Sequence, residues 1–180
     1  MILIGIGANL TSPIFGKPRT TCGAALESLT KEGLLITARS SWYKSAPVPD
    51  SDQPWFINAV VQVKTKIVPE KLMKLLLQIE SNFGRSRNKK NAPRTLDLDL
   101  IAYNKLILSL KNKNTPALNI PHPRLSERAF VLLPIYDIAP NWRHPAENLS
   151  LKEMISKLPK EQITEHLADA NGAFGTEWKE

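Results

Sequence analysis

A short run of alternating acidic and apolar residues constrains the fold of this chain more than any other feature. From Thr95 to Tyr103 the sequence reads TLDLDLIAY, and alternation of this kind predicts a β-strand. Successive side chains on a strand point to opposite faces, so Asp97 and Asp99 project together from one face. The apolar residues that point to the other face are Leu96, Leu98 and Leu100. We therefore predict a strand with a hydrophobic core on one face and a polar site on the other.

The elements predicted around this strand form an α+β domain. Apolar patterns predict, in chain order, a strand at Ile2–Ile6, a helix at Thr20–Thr30, strands at Leu34–Tyr43 and Phe56–Lys66, and a helix at Pro69–Phe83. With the aspartate strand the order is βαββαβ. This is the ferredoxin-like plan, a sandwich in which helices cover one face of an antiparallel sheet and leave the other partly open. Ser126 and Ser150 are placed to cap additional C-terminal helices.

Length and cysteine content favour one domain in a reducing compartment. The chain has 180 residues, of which we assign 1–160 to the domain and 161–180 to a C-terminal tail, frayed from about residue 168. Cys22 is the single cysteine, so no disulfide framework forms within the chain. Apolar runs are too short for a signal segment or a membrane span, and we expect a cytoplasmic protein without membrane contact.

The charge pattern predicts a phosphate site beside the two aspartates. Lys and Arg number 24 against 17 Asp and Glu, a net charge of +7 that favours a polyanionic partner. Five of the basic residues immediately precede the aspartate strand: Arg85, Arg87, Lys89, Lys90 and Arg94. Arginine binds phosphate oxygens bidentately, and paired carboxylates suit Mg²⁺. An isolated Asp-x-Asp is also typical of a solvated strand face, but the neighbouring arginines favour metal-assisted phosphoryl chemistry.

Two further sets of residues are candidates for substrate contacts. Trp55 and Phe56 follow a proline-rich loop and precede Asn58, and an aromatic face with an amide can bind a flat heterocycle. Ordinary core aromatics at the start of a strand explain the same pattern. His122 lies between two prolines, where it is either a donor to phosphate or a packed loop histidine.

Five motifs in order resemble those of the 6-hydroxymethyl-7,8-dihydropterin pyrophosphokinases of folate biosynthesis. The most specific is Pro93–Asp99 (PRTLDLD), which follows Gly84–Arg87 (GRSR). The other motifs are Gly5–Leu10 (GIGANL), Ser41–Ser45 (SWYKS), Asp52–Ala59 (DQPWFINA), and Pro121–Arg124 (PHPR) with Arg128–Phe130 (RAF). The resemblance covers roughly residues 1–140. It implies a ferredoxin-like α+β enzyme that transfers the β,γ-diphosphate of ATP to the hydroxymethyl group of the pterin and releases AMP.

The resemblance also implies a role for each matching residue. The catalytic residues would be Arg87, Arg94, Asp97 and Asp99, with the two aspartates binding two Mg²⁺ ions and the two arginines contacting the phosphates. The rest of the ATP site would comprise Glu80, Arg85, Leu100, His122 and Arg128, with Leu100 against the adenine. The pterin would lie between Phe56 and Phe130, hydrogen-bonded by Asn58 and contacted by the loop residues Ser45, Ala46 and Val48. The implied partners are ATP and 6-hydroxymethyl-7,8-dihydropterin, and a monomer that binds no nucleic acid is expected.

Two other function classes fit parts of the pattern. A basic RNA-binding module shares the ferredoxin-like plan, but its RNP1 aromatic motif is missing, and Asp97 and Asp99 would repel a phosphate backbone. Another metal-dependent nucleotidyl- or phosphotransferase is compatible with the same aspartates. Pterin-dependent release of AMP distinguishes the pyrophosphokinase from both.

Overall fold

An antiparallel sheet lies at the centre of the structure. The computed structural model describes residues 1–85, 93–112 and 115–180, and only the backbone of residues 112, 115 and 116. Within these ranges the strands are β1 (Ile2–Ala8), β2 (Leu35–Arg39), β3 (Trp42–Ser45), β4 (Phe56–Lys64), β5 (Asp97–Tyr103), β6 (Leu108–Asn112), β7 (Thr115–Ile120) and β8 (Thr164–Leu167). The helices are α1 (Pro18–Lys31), α2 (Pro69–Asn82), α3 (Ala129–Ile138) and α4 (Leu151–Ser156), with a 3₁₀ turn at Leu125–Glu127.

The main sheet has six strands, in the order β5-β1-β4-β3-β8, and β2 also pairs with β4. Each of these neighbouring pairs is antiparallel. β6 and β7 form a separate hairpin. The α+β class that the sequence predicts is therefore confirmed. In the part of the chain that the structure describes, no helix is both long and apolar enough to cross a membrane.

The sheet carries a hydrophobic core on each of its faces. On one face Ile4 of β1 belongs to the same apolar cluster as Leu26 of α1 and Leu76 of α2. On the other face Leu3 of β1 belongs to a second cluster with Leu132 of α3. Adjacent residues of β1 serve opposite cores because side chains on a strand alternate. The second face, which the sequence leads us to expect partly open, is covered in part by α3 and α4.

Helix boundaries follow the local signals in the sequence. α1 and α2 both begin with proline in the first helical turn. Proline has no N–H, and at this position an N–H would have no acceptor within the helix, so no hydrogen bond is lost. Ser150 caps α4 in a reciprocal capping box with Glu153. The helix expected from Ser126 is instead a 3₁₀ turn followed by α3, because Arg128 between them has an extended backbone.

The strand predicted at Leu34–Tyr43 is in fact two strands, β2 and β3. The hydroxyl of Ser40 accepts a hydrogen bond of 3.0 Å from the N–H of Val60 on β4, which takes the place of a backbone partner. The ladder is interrupted at this point because a side chain uses the donor. The hairpin of β6 and β7 has no counterpart among the sequence predictions.

The C-terminal residues pack on the domain, in contrast to the frayed end expected from residue 168. β8 pairs with β3, and the indole N–H of Trp42 donates to the carbonyl of Phe174 at 2.9 Å. The indole N–H of Trp178 donates to Glu27 of α1 at 2.7 Å, and its ring meets Phe15 edge-on at 5.8 Å between centroids. These aromatic side chains contribute enough apolar surface to dock a segment that has little regular structure.

Truncation of Trp178 tests this docking. We expect Trp178→Ala to lower the free energy of unfolding by about 1–3 kcal/mol, because a partly buried aromatic ring and its hydrogen bond are lost. Urea denaturation followed by far-ultraviolet circular dichroism measures the change. Lys152→Ala, at an exposed position of α4, is the control and should stay within about 0.5 kcal/mol of the parent protein. An unchanged midpoint for Trp178→Ala would contradict the docking.

Candidate active site

A cavity of about 240 Å³ opens on the face of the sheet that carries α3. On its floor, Asn58 of β4 and Asp97 of β5 lie in register on either side of Gly7 of β1. Adjacent strands are about 4.8 Å apart, so the backbone positions of the amide and the carboxylate are separated by roughly 10 Å. One row across the sheet therefore places a neutral amide and an anionic group at the two sides of one cavity.

Two glycines of β1 lie on the floor of the cavity, where a larger side chain would fill space. A Cβ atom at Gly7 would lie 3.1 Å from the amide oxygen of Asn58, and one at Gly5 would lie 3.2 Å from Ile101. Glycine inside a strand often marks a position that another group approaches closely. Two glycines in an otherwise apolar strand are a signal of this kind, although Gly5 and Gly7 were expected only as part of a family motif.

Asp97 lies between two arginines. One of its carboxylate oxygens is 2.7 Å from a terminal nitrogen of Arg85, and the other is 2.9 Å from a terminal nitrogen of Arg94. All three side chains are mostly shielded from solvent, with 17–23% of their surface exposed. Both arginines line the cavity, so a bound anion with several oxygens can contact them from the open side.

Glu80 is a buried residue that holds Arg85 and the strand of the two aspartates in place. It is 1% exposed and lies on α2, where one carboxylate oxygen accepts the backbone N–H of Leu98 at 2.7 Å and a hydrogen bond from Arg85. The residue does not line the cavity. A buried carboxylate needs compensating donors, and here they come from the strand between the two aspartates and from a cavity arginine. Glu80 thus fixes β5 and Arg85 relative to α2.

Asp99, the second carboxylate of the pair, faces Arg128 and His122. Its Oδ2 lies 3.7 Å from a terminal nitrogen of Arg128 and 4.0 Å from Nε2 of His122. Burial and the negative charge of Asp97 raise the pKa of Asp99 to about 7, although Arg128 acts in the opposite direction. A cation between the two carboxylates would remove the repulsion that raises this pKa.

His122 is a neutral hydrogen-bond donor to the cavity. Burial and the charge of Arg128 lower the pKa of His122 to about 4, so the ring is uncharged near neutral pH. Its Nδ1 accepts the backbone N–H of Arg124 at 3.1 Å, which leaves the proton on Nε2. That nitrogen is the one that faces Asp99. His122 lines the cavity beside Asp99, and its role as a donor to phosphate stays a prediction.

The opposite side of the cavity combines a buried amide with aromatic rings. Asn58 is 5% exposed, and its side-chain nitrogen donates to the hydroxyl of Ser45 at 2.7 Å. Phe56 and Phe130 line the same space, together with residues of the loop between β3 and β4: Ala46, Pro47, Val48, Pro49, Ser51 and Gln53. This arrangement suits a flat, polar ring that stacks on aromatic side chains.

Asn9, for which the sequence predicts no role, joins the two sides of the cavity. Its side-chain nitrogen donates to the carbonyl of Pro54 at 3.0 Å, and its oxygen accepts the backbone N–H of Arg94 at 2.8 Å. The residue is 3% exposed. An asparagine directly after an apolar strand is the signal that could have identified it, because buried amides require defined partners.

Most of the residues that the sequence analysis assigned to the site share this cavity: Ser45, Ala46, Val48, Phe56, Asn58, Arg85, Arg94, Asp97, Asp99, His122, Arg128 and Phe130. Leu100 is 3% exposed and belongs to the core cluster on the opposite face, and its contact with adenine stays a prediction. Arg87 lies outside the described residues. The binding and catalytic roles of the whole set stay predictions.

Comparison with known families agrees with the motifs. The model of the 7,8-dihydro-6-hydroxymethylpterin-pyrophosphokinase (HPPK) family matches residues 3–140. The chain belongs to the HPPK family. The resemblance that the sequence motifs indicate is therefore confirmed, and the match includes every residue that we assigned to the site.

Bacterial relatives of the HPPK family match over most of their length. The chain is 42% identical over 136 residues to the 2-amino-4-hydroxy-6-hydroxymethyldihydropteridine pyrophosphokinase of Bacillus subtilis, covering 75% of each chain. It is 35% identical over 163 residues to the protein of the same name from Pseudomonas aeruginosa, covering 90% of this chain and 94% of that one. The folic acid synthesis protein fol1 of Pneumocystis carinii is 37% identical over 162 residues, or 90% of this chain, which spans 20% of that longer protein.

Solved structures support the fold. The wild-type HPPK-DHPS of Plasmodium falciparum superposes with a TM-score of 0.68 at 14% identity, covering 87% of this chain and 44% of that one. A triple mutant of the same protein gives a TM-score of 0.70 at 15% identity. At such low identity these similarities establish the architecture alone.

The raised pKa of Asp99 predicts a pH-dependent effect on stability. Unfolded aspartate titrates near 3.9, so between about pH 4 and 7 the folded metal-free protein binds more protons than the unfolded chain, and its stability falls as the pH rises. Asp99→Asn removes this cost. Because the side chain is 32% exposed, solvent reduces the effect. We expect the free energy of unfolding of the variant to exceed that of the parent protein by only about 1–2 kcal/mol at pH 8 and by much less at pH 4.5.

Chemical denaturation in EDTA at the two pH values measures this difference. Glu32→Gln, which removes an exposed carboxylate at the end of α1, is the matched control and should show no such pH dependence. An Asp99→Asn variant that is equally or less stable than the parent protein at both pH values would show that ionised Asp99 carries no cost in the fold.

Proposed function

We propose that the protein transfers the β,γ-diphosphate of ATP to the hydroxymethyl group of 6-hydroxymethyl-7,8-dihydropterin, releasing AMP, in folate biosynthesis. The observation that carries this proposal is the row formed by Asn58, Gly7 and Asp97 across the floor of one cavity in a member of the HPPK family. The bacterial relatives are named 2-amino-4-hydroxy-6-hydroxymethyldihydropteridine pyrophosphokinase, which agrees with this proposal. The chain spans only about a fifth of the length of the fungal relative. The activity is therefore proposed from the residues of this chain and not from the name of that longer protein.

The side of the cavity that carries the arginines suits a triphosphate. Arg85, Arg94 and Arg128 provide guanidinium groups, and neutral His122 provides an N–H donor. Phosphoryl transfer depends mainly on positioning and on neutralising the charge of the phosphates, and these groups serve both purposes. Arg87 would add a fourth guanidinium according to the family resemblance.

Asp97 and Asp99 fit the role of magnesium ligands. They project from the same face of β5 into the cavity, and the repulsion between them favours a bound cation. Mg²⁺ at nucleotide sites is usually held by one or two carboxylates and by phosphate oxygens. In the described part of the chain no group of three or more His, Cys, Asp or Glu side chains is arranged to hold a metal ion. Mg²⁺, when bound, would polarise the phosphoryl oxygens and offset their negative charge.

The other side of the cavity suits the pterin. Asn58 offers an amide for the polar edge of the ring, and Phe56 and Phe130 offer aromatic faces. Ser45 accepts a hydrogen bond from Asn58, which fixes the orientation of that amide before a ligand binds. A preoriented amide rejects rings that lack the matching edge, because its buried groups would then be unpaired.

In the proposed reaction the hydroxymethyl oxygen forms a bond to the β-phosphorus of ATP. At the same time the bond breaks between the β-phosphorus and the oxygen that bridges the α- and β-phosphorus atoms. AMP leaves, and the hydroxyl proton is released. The chain holds the two reactants at opposite ends of one row, Asn58 on the pterin side and Asp97 on the phosphate side. Such alignment replaces a chance encounter with a fixed geometry and lowers the entropic part of the barrier.

Several finer assignments belong to this proposal. The order β5-β1-β4-β3 in a fully antiparallel sheet supports the ferredoxin-like arrangement, with β2 and β3 sharing the second strand position. Two Mg²⁺ ions, a monomeric state, a cytoplasmic location and the absence of a nucleic-acid partner are proposed on the sequence evidence. The boundary at residue 160 also stays a prediction.

The direct test is release of AMP from ATP and Mg²⁺ in the presence and absence of 6-hydroxymethyl-7,8-dihydropterin. We expect AMP only with the pterin. We also expect Asp97→Asn to lower the rate about 100-fold or more, because a charged ligand of the proposed Mg²⁺ and the partner of Arg85 and Arg94 is lost. Glu32→Gln is the control and should keep the parent rate.

The identity of the nucleotide product separates the proposal from the alternatives. Release of ADP or of free diphosphate would identify a different phosphotransferase. Salt-sensitive binding of RNA without turnover of ATP would favour the nucleic-acid module. A folded Asp97→Asn variant with the parent rate would show that this carboxylate has no part in the reaction.

A further inference from the structure

Gln162 lies outside the cavity but contacts the backbone on both sides of a cavity arginine. Its side-chain oxygen accepts the N–H of Ala129 at 2.8 Å, and its side-chain nitrogen donates to the carbonyl of Glu127 at 2.6 Å. The residue between these two contacts is Arg128. Gln162 comes 33 and 35 residues after its partners, and it lies beyond the part of the chain that the family model matches.

These two hydrogen bonds perform the function of a missing helix cap. The first N–H groups of a helix lack partners within the helix, and a polar side chain at the N-cap usually accepts one of them. The N-cap of α3 is Arg128, whose guanidinium has donors only, and its side chain makes no capping bond. Gln162 therefore supplies the acceptor for Ala129, while its own N–H₂ group occupies the carbonyl before Arg128.

The backbone at Arg128 determines where its guanidinium lies. The residue has an extended backbone (φ −121°, ψ 112°), from which the side chain reaches to 3.7 Å from Asp99 and to 5.5 Å from the ring centre of Phe130. Its Nε is buried and has no hydrogen-bond partner within the described structure. The residue lines the cavity beside the carboxylates, so its terminal nitrogens can meet an anion there, provided that its backbone stays in this conformation.

The same short segment also touches the pterin side of the cavity. The carbonyl of Ile163 accepts the backbone N–H of Ala46 at 3.2 Å, and Thr164 lies in register with Ser45. This second link is made by the main chain and does not depend on the side chain of Gln162. A change at Gln162 therefore acts on Arg128 and leaves the link to Ala46 in place.

We propose that Gln162 is a positioning residue for ATP: by bonding the backbone on both sides of Arg128, it holds the guanidinium where it meets the phosphates. The inference rests on the proposed function for the identity of the nucleotide. It extends the functional unit into the C-terminal segment, which the division at residue 160 leaves outside the domain. Gln162 itself does not line the cavity among the described residues, so its effect on ATP passes through Arg128.

Gln162→Met tests the proposal, because methionine keeps the length of the side chain and removes both hydrogen bonds. We expect the dissociation constant for ATP with Mg²⁺, measured by calorimetry without pterin, to rise about five- to tenfold, the size expected for one or two hydrogen bonds of ordinary strength. The affinity for the pterin should change less than about twofold. Glu161→Met, at the exposed neighbouring position, is the control and should match the parent protein in both measurements.

Two further variants separate positioning from a general structural effect. Gln162→Glu keeps the acceptor for Ala129 and loses the donor to Glu127, so its ATP affinity should lie between those of the parent protein and Gln162→Met. In an Arg128→Ala background, Gln162→Met should have no further effect on ATP affinity, because the group that it positions is gone.

Unchanged ATP affinity in Gln162→Met would overturn the proposal, and so would an equal loss of affinity with or without Arg128. These outcomes are distinct from a failure of the proposed function. In that case the parent protein would bind ATP but release no pterin-dependent AMP, and the dependence of ATP affinity on Gln162 would still be measurable.

Discussion

The repulsion between two carboxylates on one face of a strand sets the requirements that the surrounding structure meets. Asp97 and Asp99 project into the same cavity, and their charges, together with burial, raise the pKa of Asp99 to about 7. Arg85 and Arg94 flank the first carboxylate and Arg128 faces the second. Arg94 is only three residues from Asp97, whereas Arg85 follows α2 and Arg128 precedes α3, so the complete cluster forms only in the folded domain. This arrangement of charges supports the proposal that the cluster binds cations and phosphates.

The sheet places this charged cluster and the proposed pterin contacts at two sides of one cavity. β1 lies between β4 and β5, and its glycines leave a trough between Asn58 and Asp97. The core on the opposite face holds the three strands rigid, since alternate residues of β1 pack against α1 and α2. The distance between the amide and the carboxylate is therefore a property of the sheet and not of flexible loops. Sites built on strands keep such geometry better than sites on loops.

The sequence predicts those features that depend on local periodicity or on family motifs. The faces of β5 follow from alternation over residues 95–103, and α2 follows from apolar residues at helical spacing such as Leu72, Leu76 and Ile79. Most of the residues that were assigned from the family motifs line one cavity. Contacts between distant segments were not predictable in this way. Glu80 meets the N–H of Leu98 18 residues away, and β8 has only four residues and no distinctive pattern. Such features depend on tertiary packing, which overrides short-range preference.

The fate of the β-phosphorus distinguishes transfer of a diphosphate as one unit from transfer of a single phosphoryl group. ATP labelled with ³²P at the β-position should be incubated with the protein, Mg²⁺ and 6-hydroxymethyl-7,8-dihydropterin, and the products separated. We expect the label to move to the pterin and the AMP to be unlabelled. Label that stays with the adenine nucleotide as ADP, while the pterin is phosphorylated, would rule out transfer of the diphosphate as one unit.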